Sequence, residues 1–282
     1  MSYDIRSIQL TPDAMKQYAE FLGYIFQKPT LFTPEYLDWQ YNQNPDGVTI
    51  GFNAFTSDEQ LVAHYVAQPL QAILQGKLTR GLLSYHTATH HDHSGQGLFT
   101  TLAKKTYQEA QALGYEFVIG VSNQNSTHGF VKNLDFQWVA PLKVKIGFGK
   151  VKFSSKTEYE YKKHWTAEAL QWRLQGPKKS YYVKAHRESL EIFTLAMAGL
   201  KIVLGNFVGF PLEFKQTTAG LHLTKIWMGL DDQMSWRRGI FINLPNRLKP
   251  SPLNLIFKDL TGQNRQLDQT NIKFQALDFD AF

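Results

Sequence analysis

From residue 11 the chain repeats an apolar position every three or four residues. Met15, Tyr18, Ala19, Leu22 and Ile25 form one stripe, and Thr11-Pro12 supplies a cap and a first-turn proline, so the spacing predicts a helix over 11–26. The same Thr-Pro entry at 33 predicts a short second helix that stops before the turn Pro45-Asp46-Gly47. Strand-type runs follow at 48–56, 59–74 and 77–90, separated by Ser57-Asp58 and Gly76, and read as an antiparallel meander. Helical spacing returns at Leu98, Phe99, Leu102, Ala103, Tyr107, Ala110 and Leu113, with Gly114 placed as a C-terminal stop. YEFVIGVSN reads as a buried strand, NSTHGFVKNLDF as a short capped helix running into a strand at 136–139, and 116–139 has the form of a strand–helix–strand crossover.

The second half repeats part of this order. YLDWQYNQNP (36–45) and ALQWRLQGP (169–177) both carry Leu-x-Trp followed by proline, and three strand candidates, SYYVKAH, SLEIFTLAM and LKIVLGNF, come after the second copy. The echo is short, so a duplicated unit and an unrelated second unit both stand. The polar tract at 149–164 marks the boundary: residues 1–148 form one domain, and 149–282 form a smaller α/β domain, either a degenerate repeat of the first or separate from it. The apolar run 192–210 is long enough to raise a membrane span, but Lys201, Asn206 and the glycines at 199, 205 and 209 divide it into pieces that read as buried strands. LKPSPLNLIFKDL and IKFQALDFDAF read as further strands, with Asp278 and Asp280 sharing one face as a solvated edge or a polar-ligand contact.

Composition narrows the chemistry. Apolar content of 43% against 19% charged is globular, and the absence of cysteine excludes disulfides and thiolate chemistry. The charge of +6 is spread without a basic block and fits anionic small molecules as well as nucleic acid; because no RNA or DNA motif is visible, no nucleic-acid partner is expected. The N-terminus MSYDIRSIQL shows no secretory signal, so the expectation is a cytoplasmic protein with no membrane partner.

Two chemistries compete at HHDHSGQGLF, 90–99. The metal reading uses His90, His91, Asp92 and His93. On a regular strand, consecutive residues alternate faces, which pairs His91 with His93 and His86 with His90. No known ligand spacing is matched, so no metal is expected. The phosphate reading uses Gly95 and Gly97 at the junction of a strand and a long helix, where backbone N–H groups and the helix dipole favour an anion. A turn without ligand would look the same, and the third glycine of the dinucleotide fingerprint is missing.

The whole segment from Thr89 to Phe136 resembles the core motif of the GNAT superfamily of acyl-CoA-dependent N-acyltransferases. Thr89, His90, Asp92, Gly95, Gln96, Gly97, Leu98 and Phe99 fit its first part, and Asn125, Phe130, Leu134 and Phe136 its second. YLDWQYNQNPDG is similar to the N-terminal segment of a subgroup with an extra C-terminal domain, found among enzymes acting on amino sugars and surface-polysaccharide precursors. The resemblance implies an α+β fold, a mixed and mostly antiparallel sheet flanked by helices, with a second sheet-containing domain. It also implies roles. Backbone groups at Ala88, Thr89 and His90 would pair with the pantetheine arm of acetyl-CoA, and the amides of Ser94, Gly95, Gln96, Gly97, Leu98 and Phe99 would hold the pyrophosphate. The strands at 86–90 and 116–122 would splay around the thioester, with Asn123 and Asn125 at the mouth.

Departures from the family pattern bear on catalysis. Ser94 stands where Arg or Gln is common, Val131 where many members carry the tyrosine that protonates the leaving thiolate, and Asp135 where glycine is usual. His128 shares a helix face with Val131 and is a candidate replacement, against the reading of a solvent-facing histidine. His86 is a candidate proton relay, against a strand histidine bonded to a neighbour, and His64 is a third candidate. Trp39 and Trp172 are either ligand-stacking or buried at helix ends, and Arg237-Arg238 either binds an anion or forms an exposed turn. The resulting expectation is an N-acetyltransferase moving acetyl from acetyl-CoA to a small primary amine, such as an amino sugar on a nucleotide carrier. The alternative is a non-catalytic module that binds CoA or a protein partner.

Overall fold

The computed structural model describes residues 2–149, 151–153, 158–185, 189–196, 199–208, 222–245 and 252–279. Asp280 and Gly209 lie outside these. The first part of the chain runs β1 (Asp4–Ser7), α1 (Pro12–Ile25), α2 (Pro34–Tyr41), β2 (Ile50–Phe55), β3 (Leu61–Leu74), β4 (Lys77–Thr89), a 3-10 turn at His91–His93, α3 (Leu98–Ala112), β5 (Phe117–Ser122), α4 (Gln124–His128) with a π-helical turn Gly129–Asn133, β6 (Gln137–Pro141) and β7 (Lys143–Gly149). The rest gives β8 (Tyr161–Lys163), α5 (Ala167–Leu174), β9 (Tyr182–Ala185), β10 (Ser189–Leu195), β11 (Lys201–Val208), β12 (Thr224–Leu230), β13 (Gly239–Asn243), β14 (Asn254–Asp259) and β15 (Ile272–Gln275).

The expected capping chemistry is present. Ala14 N–H donates to Thr11 Oγ1 and Tyr36 N–H to Thr33 Oγ1, so each Thr-Pro pair starts its helix as the sequence implies. Gly114, at φ 78°, stops α3. Alternation along β3 then separates the faces of the sheet: Tyr65 packs with α3, whereas Val66 packs with α1 and α2.

Among the described residues the strands join one mixed sheet of fifteen, mostly antiparallel, as the α+β expectation requires. In its first part β2, β3 and β4 are antiparallel neighbours and β4 pairs parallel with β5. The next place is taken by β14, antiparallel to both β5 and β6. In the second part β9, β10 and β11 are antiparallel, β11 pairs parallel with β12, and the next place is taken by β7, between β12 and β13. Each half therefore receives a strand from the other across the 148/149 boundary. The two parts are joined by β8 and β15, which link β3 to β12. The crossover at 116–139 skips one position, and β14 fills it.

The tryptophans of the sequence echo meet. Trp39 and Trp172 stack at 4.7 Å, and each indole N–H donates to the other residue's carbonyl, at 3.3 and 3.1 Å. They are buried against one another rather than presented to a ligand. The run at 192–210 supplies β10 and β11, and Lys201 is buried beside Glu191 and over the Phe193 ring at 3.8 Å. No helix among the described residues is long and apolar enough to cross a membrane.

Candidate active site

β4 and β5 pair at Gly81–Phe117, Leu82–Val118 and Leu83–Ile119, and no further. Both strands continue, β4 to Thr89 and β5 to Ser122, so the sheet opens into a wedge beyond Leu83. A cavity of about 740 Å³ occupies this opening, walled by β4 residues 83–87, by Val121, Asn123, Ser126 and Phe130, and by Phe32 and Tyr36 from the α1–α2 side. Lys28 and Lys179 also line it, and among the described residues no carboxylate does.

A bulge shapes the β4 wall. His64 pairs with Ala88 and Val66 with Tyr85, so two residues of β4 face one of β3, and His86 takes φ 35°. The bulge cancels the alternation expected of a strand. Tyr85 and His86 both reach α2, Tyr85 accepting from Gln40 Nε2 and His86 Nδ1 bonding Tyr41 OH at 2.8 Å. Behind His86 the chain of bonds continues inward. Tyr41 OH meets His64 Nε2 at 3.0 Å, His64 Nδ1 meets Asn53 Oδ1 at 2.7 Å, and Asn53 Nδ2 donates to Tyr18 OH at 3.0 Å. Burial pushes His64 down to about 3, so it is neutral. Because the Asn53 amide donates to Tyr18, its oxygen accepts from His64 Nδ1–H, and His64 Nε2 then accepts from Tyr41. The Tyr41 oxygen in turn accepts from His86 Nδ1–H, which makes Nε2 the basic nitrogen of His86.

The opposite side of the wedge belongs to α3. Ser84 Oγ lies 2.9 Å from Tyr65 OH, which lies 2.6 Å from Tyr107 OH. Burial pushes Tyr65 up to about 12 and Tyr107 well above the usual phenol range, so both stay protonated.

The loop after β4 presents backbone donors, though fewer than the expected set. Gly95 and Gly97 adopt φ 74° and 72°, where a side chain would be strained. Gly97 is the N-terminal cap of α3 and leaves that helix without a side-chain cap. Among the described residues no turn or loop bond uses the amides of Gly95, Gln96, Gly97, Leu98 or Phe99, but Ser94 N–H is committed to His91 O at 3.2 Å. At the strand end His90 N–H is likewise committed to Val62 O, at 2.8 Å. Ala88 and Thr89 keep their β5-facing edge without a strand partner among the described residues.

The remaining candidates fall into place unequally. Asn123 lines the cavity, but its side-chain oxygen accepts from Asn125 N–H and Ser126 N–H as the cap of α4. Asn125 and His128 are exposed and lie outside the cavity wall. The structure thus brings His86 to the wedge and leaves His128 away from it. The histidine cluster corrects the strand-parity argument: β4 ends at Thr89, and the tight turn stacks His90 on His91 at 4.3 Å. Ligand-type atoms of His90, His91 and Asp92 lie within 4.8 Å of one another, on an exposed turn. The sequence gives no sign of the polar roles of Ser84, Tyr65, Tyr107 and Tyr41: Ser84 and Tyr65 sit in apolar strand runs, and Tyr107 and Tyr41 read as apolar helix positions.

The family described as acetyltransferase (GNAT) domain matches residues 5–139. No curated protein matches the sequence. The chain is similar in structure to a conserved protein of unknown function from Enterococcus faecalis V583, described as a probable N-acyltransferase, at TM-score 0.63 and 14% identity over 92% of this chain and 73% of that one. It is also similar to Saccharomyces cerevisiae N-myristoyltransferase with bound myristoyl-CoA, at 0.58 and 11% over 91% and 79%. A GCN5-related N-acetyltransferase from Anabaena variabilis gives 0.57 and 11% over 92% and 73%. At these identities the likeness concerns the fold.

Proposed function

Residues 5–139 belong to the GNAT superfamily, and on that premise we propose that the chain is an N-acetyltransferase that moves the acetyl group of acetyl-CoA to a primary amine. The observation that carries the reading is the open wedge beyond Leu83–Ile119, with an unspent row of amides at the next helix N-terminus and a histidine on the wall. The pantetheine arm lies along the unpartnered edge of β4 toward Ala88 and Thr89. The amides from Gly95 to Phe99 hold the pyrophosphate, where fixed dipoles meet negative charge. The thioester then sits in the wedge.

His86 receives the proton of the attacking amine at Nε2, because Nδ1 is turned to Tyr41. The amine nitrogen bonds to the carbonyl carbon, the C–S bond breaks, and the electron pair leaves on sulfur. The acceptor carries a planar or apolar body and an anionic group, which the aromatic wall and Lys28 suit. An amino sugar on a nucleotide carrier has these features. The second segment, 149–282, is read as a degenerate GNAT-like repeat, a reading supported by the matched strand order and the mutual Trp39–Trp172 contact.

Thiol release from acetyl-CoA across a panel of primary amines tests the proposal, and the absence of cysteine removes background. Release that depends on the amine is the expected result. Silence across the panel while CoA still binds would favour a non-catalytic binding module, the reading to which Val131 in place of a tyrosine points.

A further inference from the structure

The wedge lacks a tyrosine at residue 131, so the departing sulfur needs another donor. Resting on the acyl-transfer reading above, we propose that Ser84 is that donor: its hydroxyl hydrogen-bonds the thioester sulfur as the C–S bond breaks, and Tyr65 and Tyr107 aim it.

The position follows from the pairing. Leu83–Ile119 is the last parallel pair, so Ser84 and Gly120 are the first residues beyond it, at the apex of the wedge. A Cβ added to Gly120 would lie 3.1 Å from Ser84 Cβ, which shows how directly the two strands face each other there. Ser84 lines the cavity, and its side chain turns to α3, opposite the side on which the bulge places His86. Proton acceptor and sulfur donor therefore flank the thioester from the two faces of the sheet.

The direction of the hydrogen bonds follows from burial. Tyr107 OH is buried, and its hydrogen-bond partner among the described residues is Tyr65 OH. A buried hydroxyl hydrogen without an acceptor is costly, so Tyr107 donates to Tyr65. Tyr65 then donates to Ser84 Oγ, and the Ser84 hydrogen is the end of the chain, turned toward the cavity. Each donor is polarised by the one behind it. The balance needs no further reactant. The electron pair of the C–S bond goes to sulfur, the Ser84 O–H stabilises it there, the amine proton goes to His86 and on to solvent, and solvent returns one to the thiolate. Ser84 touches the reacting atom; Tyr65 and Tyr107 are positioning residues.

The product complex provides a test that needs no acceptor. CoA carrying ¹³C at the carbon bonded to sulfur is held at saturation on the full chain, and its thiol is titrated by NMR. The parent lowers the thiol pKa below that of CoA in solution. Ser84→Ala raises it by about one to two units, the worth of a hydrogen bond to a charged group. Tyr65→Phe raises it by less, in the same direction, and keeps the proposal testable if Ser84→Ala fails to fold. Bound CoA whose thiol titrates alike in the parent and in whichever of these variants fold overturns the role of Ser84 and leaves the acyl-transfer reading standing. Failure of the parent to bind CoA overturns both.

Discussion

Two parallel strand pairs part on one plan, β4 from β5 and β11 from β12, and among the described residues the two gaps are filled differently. In the first half β4 leaves β5 after Leu83, and the space beyond is a cavity with His86 and Ser84 on its wall. In the second half β11 leaves β12 after Val203, the matching point. There Gln275 Oε1 accepts from Asn206 N–H at 2.7 Å, and Lys273 Nζ donates to Asn206 O at 3.1 Å. Asn206 stands three residues past the last parallel pair, as His86 does. The backbone groups of Asn206 are thus satisfied from within the chain. The same frame leaves a cavity or is filled depending on which strand end falls beside it.

The largest way to break this contrast is chemical. His86→Ala should lower kcat by about 10²- to 10⁴-fold, with CoA affinity kept; thiol-release kinetics beside a CoA titration check this. An effect on CoA affinity alone would remove His86 from the chemistry.

The exchanged strands give the next effect. Phe257, on β14 from the second segment, is fully buried and stacks on Phe117 of the first at 5.8 Å. Phe257→Ala should cost about 3–5 kcal/mol and move one shared denaturant transition. Two separate transitions, with the first half unmoved, would show that the halves stand alone.

Gln275→Ala should then cost about 1–3 kcal/mol by leaving the Asn206 N–H unpaired, and should leave turnover at the parental level. A fall in turnover at unchanged CoA affinity would mean that the closed wedge takes part in the reaction.

The last effect is a slope, small at any one pH step. His64 is held near 3 against an ordinary 6.5, so between these values the unfolded chain binds the proton and the folded chain does not. Stability therefore falls as pH drops from 6.5 toward 3, by about 1.4 kcal/mol per pH unit from this group. His64→Gln should flatten that limb in denaturant titrations at stepped pH, and an unchanged slope would deny the neutral His64 on which the His86 tautomer rests.

These contrasts also show what the sequence could carry. The helices with Thr-Pro starts, the meander and the Ser94–Gly97 loop are local, written in caps, turns and periodicity, and were legible. β14 read as a strand, but its place between β5 and β6 depends on residues more than a hundred positions away. β1 and β7 were missed because short polar or alternating runs at 4–7 and 143–149 carry little period of their own. At the site, His86 was legible as a candidate and its surroundings were not. The bulge that turns it to Tyr41 has no sequence signal, and neither does the Ser84–Tyr65–Tyr107 contact, which joins two strands and a helix. Asp135 offers the reverse case: it keeps the left-handed φ of 56° that explains the glycine usual there.

The central claim is that one open wedge, in the first half, is the acyl-CoA site. Calorimetric titration of the full chain with acetyl-CoA tests it most directly. The account predicts a single site per chain, lost in Gly97→Arg, which puts a bulky side chain on a left-handed backbone position among the uncommitted amides. No binding, two sites per chain, or a Gly97→Arg variant that binds like the parent would contradict it.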